Sequence, residues 1–314
     1  MKLRKVDPQL RRRVALIPPL PLKGGLGRRT ARALILWRGP GKPVEGVIRK
    51  VLGDQGLHVY TPEDGGSGAA LVWLHGGGLI VGDAVQDNAF CARTARELSI
   101  VVVSVNYHLA PEHPFPAALD DALAAWQWLQ RSAKSLGVDP GRIAVGGASA
   151  GGGLAACLAQ RLHDSRGIRP AAQWLFCPML DDRTAARRDL DQLRHRVWNN
   201  ALNRTGWRAY LGGEPGGPQT PAYAVAARRT DLRDLPPAWI GVGDIDLFAD
   251  EDLDYARRLQ DAGVPCTLDL VPGAPHGFET WAAHTPAARD YLGRARAWLN
   301  ASLREPTSHI PGGP

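Results

Sequence analysis

Beyond residue 50, the sequence alternates between short apolar runs and longer segments of helical periodicity. The apolar runs occupy residues 57–60, 70–74, 100–105, 143–145, 173–176, 238–242 and 267–271. Helix-period segments lie between several of them, at 86–98, 117–131, 150–162, 250–262 and 286–303. Strands that alternate with helices form βαβ units, so the pattern predicts an α/β fold with a mostly parallel sheet and helices on both faces.

The net charge of +7 is distributed unevenly along the 314 residues. Residues 1–50 contain 14 Lys and Arg against two acids, Asp7 and Glu45, and carry +12, whereas the rest of the chain carries −5. A nucleic-acid-binding domain needs a basic stripe across its folded surface. Because the body of this chain is slightly acidic, we expect no nucleic-acid partner.

The basic N-terminal segment is predicted to fold as helices and not to act as a targeting signal. Pro18 and Pro19 cut its apolar run short of a secretory signal, and it lacks the serines of a transit peptide. Asp7 followed by Pro8 marks a helix start, and a second amphipathic stretch covers residues 30–37. We therefore expect a cytoplasmic protein.

An uncharged stretch at residues 143–160 approaches the length of a membrane span, but five glycines lie at its centre. It is predicted to form a buried strand, a turn and a helix, and we expect no membrane span. The four cysteines contain no CxxC pair and are expected to be buried, reduced thiols. The acidic cluster at 244–254 lacks the spacing of a calcium loop, so we expect neither a metal nor another cofactor.

Residues 147–151 read Gly-Ala-Ser-Ala-Gly and directly follow a predicted strand. A GxSxG sequence between a strand and a helix is typical of a nucleophile elbow, whose tight turn presents the serine at the carboxyl edge of the sheet. Only small residues fit on either side of such a turn. Ser149 is therefore the candidate nucleophile, and the alternative is a glycine-rich turn without chemistry.

Three consecutive glycines, Gly76, Gly77 and Gly78, follow His75 at the end of the predicted strand at 70–74. Glycines leave the backbone N–H groups unshielded, as an oxyanion hole requires. A flexible glycine turn is the alternative. His75 itself is expected to hold this loop and not to act as a base.

A weakly nucleophilic serine needs a base and an acid that orients the base. Asp244 and Asp246 follow the apolar run at 238–242, and His276 follows the run at 267–271. All three lie at carboxyl ends of predicted strands, so they can meet at one edge of the sheet. The spacing alone leaves both aspartates open as the acid.

Residues 181–221 interrupt the alternation of strands and helices with Arg-rich polar sequence. Trp198, Trp207 and Tyr210 recur there at helical spacing. An insertion of this length in a compact domain is usually functional. His195 lies in the same stretch, where we expect a solvated side chain.

Together, these motifs resemble the hormone-sensitive-lipase family of α/β-hydrolases, in its bacterial carboxylesterase branch. The resemblance covers residues 55–304. It rests on HGGG at 75–78, NYHLAPEHPFPA at 106–117, GASAGGG at 147–153, DLFADE at 246–251 and HGF at 276–278.

The resemblance implies the α/β-hydrolase fold with a helical cap, and a serine esterase that hydrolyses short- to medium-chain carboxylic esters through an acyl-enzyme. It implies that Ser149 is the nucleophile and His276 the base. The match of residues 250–251 to the Asp-Glu pair of the family selects Asp246 as the acid. The oxyanion-hole amides implied are those of Gly77, Gly78 and Ala150.

By the same likeness, the cap corresponds to residues 1–50 and to the insertion at 181–221 within a hydrolase domain of residues 51–304. The Gly- and Pro-rich composition of residues 305–314 predicts a flexible tail. The insertion contains three aromatic residues, Trp198, Trp207 and Tyr210. Their side chains then either form walls of an acyl pocket or pack the cap against the body. A small-molecule ester is the expected partner, and the oligomeric state stays open, a homodimer included.

Three positions depart from the family pattern. Ala148 replaces an Asp or Thr, His108 replaces an Arg, and Leu247 replaces a Pro. We expect activity to survive all three changes. Plant hormone receptors that resemble this family lack the histidine, so the presence of His276 favours an enzyme. Amide or carbamate hydrolysis and acyl transfer use the same triad and stay open.

Overall fold

The computed structural model of the protein describes residues 3–18, 22, 24–39, 41–165 and 167–304, so the tail predicted at 305–314 lies outside the described residues. Its strands span Val47–Leu52 (β1), Leu57–Pro62 (β2), Ala70–Leu74 (β3), Val101–Val105 (β4), Ile143–Ala148 (β5), Gln173–Phe176 (β6), Ala238–Gly243 (β7) and Cys266–Val271 (β8). They form one sheet in the order β1-β2-β4-β3-β5-β6-β7-β8. β2 is antiparallel to both its neighbours, and the other pairs are parallel.

The α-helices of the described ranges span Pro8–Leu16 (α1), Gly25–Arg38 (α2), Asn88–Leu98 (α3), Ala117–Ser132 (α4), Ala150–Asp164 (α5), Asp182–Ala186 (α6), Asn200–Leu211 (α7), Ala249–Asp261 (α8), Phe278–Trp281 (α9) and Pro286–Arg304 (α10). None of them has both the length and the apolar character needed to cross a bilayer.

The predicted α/β architecture is confirmed, and each predicted strand is present with its ends shifted by at most a few residues. The sequence missed β1. Its residues Arg49 and Lys50 are exposed, and the strand lies at the edge of the sheet, where charged side chains discourage pairing with another chain. An exposed edge strand needs no continuous apolar run, and β1 has none, so the search for apolar runs did not detect it.

The hydrophobic core consists of one cluster on each face of the sheet. Alternate residues of a strand point to opposite faces, and in β3 Leu71 and Trp73 join one cluster while Val72 and Leu74 join the other. Helices α4, α5, α7 and α8 cover the face of Val72, and α1, α3, α9 and α10 cover the face of Trp73. The sheet is therefore covered on both sides, and its carboxyl edge carries the loops that follow β3, β5, β7 and β8.

The two N-terminal helices contact different loops at this edge. α1 begins at Pro8, as predicted, with the Asp7 carboxylate accepting the Gln9 N–H. Its apolar residues pack into the cluster shared with α9 and α10. α2 contacts the loop after β3 through Arg32, whose guanidinium donates to the carbonyl of Ile80 at 2.7 Å and 3.0 Å. The division into a cap and a body stays a prediction.

Candidate active site

Ser149 stands in the turn between β5 and α5, with φ +55° and ψ −119°. A positive φ is strained for a residue with a side chain, and neighbouring glycines make the turn tight enough to keep it. A Cβ atom on Gly147 would lie 2.4 Å from the backbone of Gly151, and one on Gly151 would lie 2.1 Å from the carbonyl oxygen of Leu74. Glycine is therefore required at both ends of the GxSxG turn, which has the geometry of a nucleophile elbow.

The three residues that the resemblance selected, Ser149, His276 and Asp246, lie within hydrogen-bonding distance of one another in that order. Ser149 Oγ lies 2.9 Å from Nε2 of His276, and Nδ1 of His276 lies 2.8 Å from Oδ2 of Asp246. Each of the three residues is less than one-tenth exposed. The other Asp246 oxygen accepts the N–H of Phe248 at 3.0 Å. This chain of hydrogen bonds can move a proton from the serine hydroxyl to the imidazole.

Asp244, the other candidate for the acid, forms no hydrogen bond with the side chain of His276. Its side chain is exposed, and its Oδ1 accepts the N–H of Gly273 at 2.6 Å in the loop that leads to His276. The N–H of Asp7 donates to the carbonyl of the same Gly273 at 2.9 Å, and the indole of Trp281 donates to the carbonyl of His276 at 2.9 Å. Asp244, the N-terminal segment and α9 therefore hold the histidine loop.

The surroundings of His276 raise the pKa of its imidazole above the ordinary value of 6.5. Burial lowers this pKa, but the charge of Asp246, its hydrogen bond and the charge of Glu279 together outweigh burial. The site therefore stabilises the imidazolium, the form that the histidine takes after it accepts a proton.

The glycine loop after β3 approaches Ser149 closely, because a Cβ atom on Gly76 would lie 3.5 Å from the Cβ of Ser149. Gly77 has φ +135° and Gly78 has φ +62°. The amides of Gly77, Gly78 and Ala150 donate to no other residue in the described part of the chain. They are therefore free to donate to an oxyanion on a carbonyl attacked by Ser149.

His75 is fully buried and fixes this loop from within. Its ring stacks on Tyr107 with a centroid distance of 4.1 Å, and its Nδ1 lies 2.9 Å from the carbonyl oxygen of Gly76. The Tyr107 hydroxyl donates to the His75 carbonyl at 2.7 Å. Burial lowers the pKa of His75 to about 4, so the ring is neutral. His75 is placed to support the loop, not to exchange protons with Ser149.

The three aromatic residues of the insertion are all buried, but they contact different parts of the molecule. The indole of Trp198 lies against the glycine loop after β3, so that a Cβ on Gly78 would lie 2.1 Å from its ring. Trp207 and Tyr210 pack on each other, and Tyr210 meets Phe115 edge-on at 5.7 Å. Trp198 is therefore beside the site, whereas Trp207 and Tyr210 pack the insertion against the body.

Comparison with known proteins agrees with this geometry. Residues 71–280 match a family described by the α/β-hydrolase fold. The chain belongs to the α/β-hydrolase fold family. It is 34% identical to esterase LipI of Mycobacterium tuberculosis over 277 residues, which cover 84% of this chain and 85% of that protein.

Two solved structures resemble this hydrolase over nearly their whole length. A bacterial heroin esterase has a TM-score of 0.89 at 33% identity, with 97% of this chain and all of that chain covered. Esterase LipW from Mycobacterium marinum has a TM-score of 0.84 at 32% identity, with 96% and 98% covered. Within the α/β-hydrolases, this protein belongs to the bacterial carboxylesterase branch that is similar to hormone-sensitive lipase.

Ala148, which departs from the family pattern next to Ser149, borders a cavity of about 160 Å³. The cavity is also lined by Asp87 and Glu279. Burial raises the pKa of Asp87 to about 6 and that of Glu279 to about 7. This hydrolase thus has the buried carboxyl group of Glu279 and the partly buried carboxyl group of Asp87 at the same cavity as Ala148.

Cys177 lies beside Asp246 and His276, and its sulfur is a potential metal ligand. The sequence did not identify it as a site residue. Its sulfur and one ligand atom each from Asp246 and His276 lie within 4.8 Å of one another. Both imidazole nitrogens of His276 already take part in hydrogen bonds, and burial raises the pKa of the Cys177 thiol well above its ordinary value. The protonated thiol and the engaged imidazole fit a metal ion poorly.

His195 is nearer the site than the sequence suggested. Its side chain is half-buried, and its Nδ1 has no hydrogen-bond partner among the described residues. Burial lowers the pKa of its imidazole, while the nearby charge of Asp246 raises it and that of His276 lowers it. The expectation of a solvated side chain was wrong, because a polar residue in an Arg-rich segment carries no local signal of long-range packing.

Proposed function

We propose that this α/β-hydrolase is a serine carboxylesterase that hydrolyses short- to medium-chain carboxylic esters through an acyl-enzyme. The observation that carries the proposal is the hydrogen-bonded chain from Ser149 through His276 to Asp246, beside a glycine loop with free amides. The similarity to proteins named as esterases supports the same reaction class.

In the first half-reaction, Ser149 Oγ attacks the ester carbonyl carbon while Nε2 of His276 takes the hydroxyl proton. Asp246 holds the imidazole in the tautomer with hydrogen on Nδ1 and stabilises its charged form. The negative oxygen of the tetrahedral intermediate accepts hydrogen bonds from Gly77, Gly78 and Ala150. His276 then gives its proton to the alkoxide, and the alcohol leaves.

In the second half-reaction, water takes the place of the alcohol. His276 removes a proton from the water, which attacks the acyl carbon of the acyl-serine. The same amides stabilise the second oxyanion, and the proton returns to Ser149 as the carboxylic acid departs. No cofactor is needed in either half, since both steps transfer only a proton and an acyl group.

Acyl length is proposed to be limited by the insertion. Trp198 lies on the oxyanion loop and is the member of the aromatic trio placed to meet an acyl chain bound to Ser149. Trp207 and Tyr210 would support that wall from behind. A similar protein of Pseudomonas putida, 36% identical over 224 residues, is named ethyl acetate hydrolase, which supports a small acyl group here.

The proposed location is the cytoplasm. All four cysteines are free, and three of them are buried. Free, buried thiols suit a reducing compartment, where disulfides do not persist.

A chromogenic ester series tests the function. Wild-type protein should hydrolyse p-nitrophenyl esters with a preference for short over long acyl chains. Ser149→Ala should lower kcat on the order of 10⁶-fold, as expected for the loss of a triad serine. Rates of Ser149→Ala within tenfold of the wild type would exclude this serine as the nucleophile.

A further inference from the structure

Helix α2 presents an apolar side to solvent. Residues 33–37 read Ala-Leu-Ile-Leu-Trp, a run of five apolar residues in the C-terminal half of a surface helix. Trp37 is 83% exposed, Leu26 is 81% exposed, and Leu34 is 49% exposed. At 100° per residue, the apolar residues at positions 26, 33, 34 and 37 lie on one side of the helix. We call these four positions the apolar stripe.

Contacts on the opposite side of α2 fix the direction of the stripe. Ala31 packs against the hydrophobic core. Arg32, one residue on, donates to the carbonyls of Ile80 and Ala110 and pairs with Glu112 at 2.9 Å. Because these contacts hold the inner side against the body, the stripe points away from the protein.

A helix with apolar residues on both sides is normally covered on both. Here the inner side meets the body, and the outer side leaves large apolar side chains in water. Contiguous exposed apolar surface of this kind marks an interaction site. The apolar stripe therefore needs a partner that is itself apolar.

Charge decides which apolar partner suits the stripe. Residues 1–50 carry +12. Arg29 is exposed on α2, and Lys42 is exposed just beyond it. A second copy of the chain would bring two such basic surfaces together, which like-charge repulsion opposes. An anionic bilayer supplies acyl chains for the stripe and negative headgroups for the arginines and lysines.

We propose that α2 docks the protein peripherally on membranes that contain anionic phospholipids, with Trp37 and Leu26 inserted at the level of the headgroups. This docking depends on the N-terminal segment and not on the catalytic side chains. It goes beyond the proposed esterase function and can fail or succeed independently of it.

The test is co-sedimentation of the full chain with lipid vesicles. Wild-type protein should bind vesicles of phosphatidylcholine that contain about 30% phosphatidylglycerol, an anionic lipid that gives the bilayer a negative surface potential. Binding should weaken on pure phosphatidylcholine and at high salt, because salt screens the attraction. The double variant Leu26→Ser with Trp37→Ser should bind about tenfold or more weakly, since two exposed apolar side chains no longer enter the bilayer.

Two controls separate docking from loss of folding or activity. The double variant Ile168→Ser with Leu253→Ser removes partly exposed apolar residues away from α2 and should bind as the wild type does. Ser149→Ala should also bind as the wild type does, whatever its activity. Both double variants should keep the Tm and the hydrolysis of a soluble ester if the protein has that activity.

Three results would overturn the docking proposal. One is a wild-type protein that does not bind the anionic vesicles. Another is a stripe variant that binds them as tightly as the wild type. The third is a wild-type dimer that the stripe variant converts to a monomer without any change in vesicle binding, which would assign the stripe to a second copy of the chain.

Discussion

The Nδ1 atom of His276 lies 2.8 Å from Oδ2 of Asp246, and both side chains are buried. Because the carboxylate accepts the Nδ1 hydrogen, the lone pair of Nε2 faces Ser149 Oγ, 2.9 Å away. Asp246 is itself fixed by the N–H of Phe248. The tautomer of the imidazole therefore depends on one carboxylate.

Replacing that carboxylate should abolish most of the activity. We expect Asp246→Asn to lower kcat about 10⁴-fold, because the amide favours the wrong tautomer and does not stabilise the imidazolium. Asp244→Asn is the matched control, two residues away in the same loop, and should lose less than about tenfold since its partner is a backbone N–H. The reverse order of the two losses in ester hydrolysis would make Asp244 the acid.

The pH dependence of kcat/KM should reflect the raised pKa of His276. The base must be neutral to accept the serine proton, so activity falls as the pH decreases through this pKa. The acid limb should therefore have its midpoint above 6.5, the ordinary value for histidine. Glu279→Gln removes one of the charges that raise the pKa and should move the midpoint to lower pH. A wild-type midpoint below 6.5 would contradict this account.

Glu279 should also make stability depend on pH. Its pKa is about 7 in the folded protein against an ordinary value of 4.5. Between these values the folded state binds more protons than the unfolded state, so the free energy of unfolding falls as the pH rises. The full loss, about 3 kcal/mol, is present above pH 7.

Thermal unfolding at pH 5 and pH 8 tests this linkage. Glu279→Gln should raise the Tm relative to the wild type more at pH 8 than at pH 5, because it removes the buried charge. Glu63→Gln, at an exposed glutamate, is the control and should show no such difference. A Tm difference between Glu279→Gln and the wild type that is equal at both pH values would exclude Glu279 as the titrating group.

Gly77 and Gly78, the proposed oxyanion-hole glycines, should respond differently to substitution by alanine. A Cβ on Gly77 would lie 1.9 Å from the carbonyl oxygen of Val81, so Gly77→Ala must displace the backbone of the loop. A Cβ on Gly78 would instead meet the ring of Trp198. Each variant should lower kcat by about 10² to 10³, the usual loss for an oxyanion donor.

A second substitution separates the two cases. Adding Trp198→Ala should restore part of the activity of Gly78→Ala, because it removes the side chain that clashes. The same addition should not restore Gly77→Ala. Equal recovery of both variants in p-nitrophenyl ester hydrolysis would mean that Trp198 does not contact the loop at Gly78.

Arg32 does not belong to the candidate site, but its replacement should lower kcat by displacing the loop that it holds. Its hydrogen bonds to Ile80 and Ala110 join α2 to the segment that continues the glycine loop after β3, where the Ala110 N–H donates to the Leu79 carbonyl. We expect Arg32→Met to lower kcat about tenfold with a smaller change in KM, because a small displacement of the donors weakens catalysis. Glu112→Gln keeps these backbone contacts and should stay near the wild-type rate.

Much of the fold and the central residues of the candidate site could be predicted, because their signals are local. A buried strand followed by Gly-Ala-Ser-Ala-Gly predicts its own turn, and Ser149 has the strained backbone that such a turn requires. The choice of Asp246 needed the resemblance to a family, since Asp244 follows the same strand.

The remaining features depend on contacts between distant segments. No local pattern predicted that the backbone N–H of Asp7 would donate to the carbonyl of Gly273, or that the ring of Trp198 would contact Gly78. The half-buried place of His195 arises in the same way from packing of the insertion. β1 was missed because Arg49 and Lys50 divide its apolar residues into two short pairs.

The most direct test of the central claim is to map the site of reaction with a fluorophosphonate. Such a probe phosphonylates an activated serine, so one adduct per chain should form on the peptide that contains Ser149. His276→Ala should slow labelling by several orders of magnitude, because the serine loses its base. A single adduct on Ser149 that depends on His276 is the predicted result. Adduct formation on another residue, or ester hydrolysis that persists in Ser149→Ala, would contradict it.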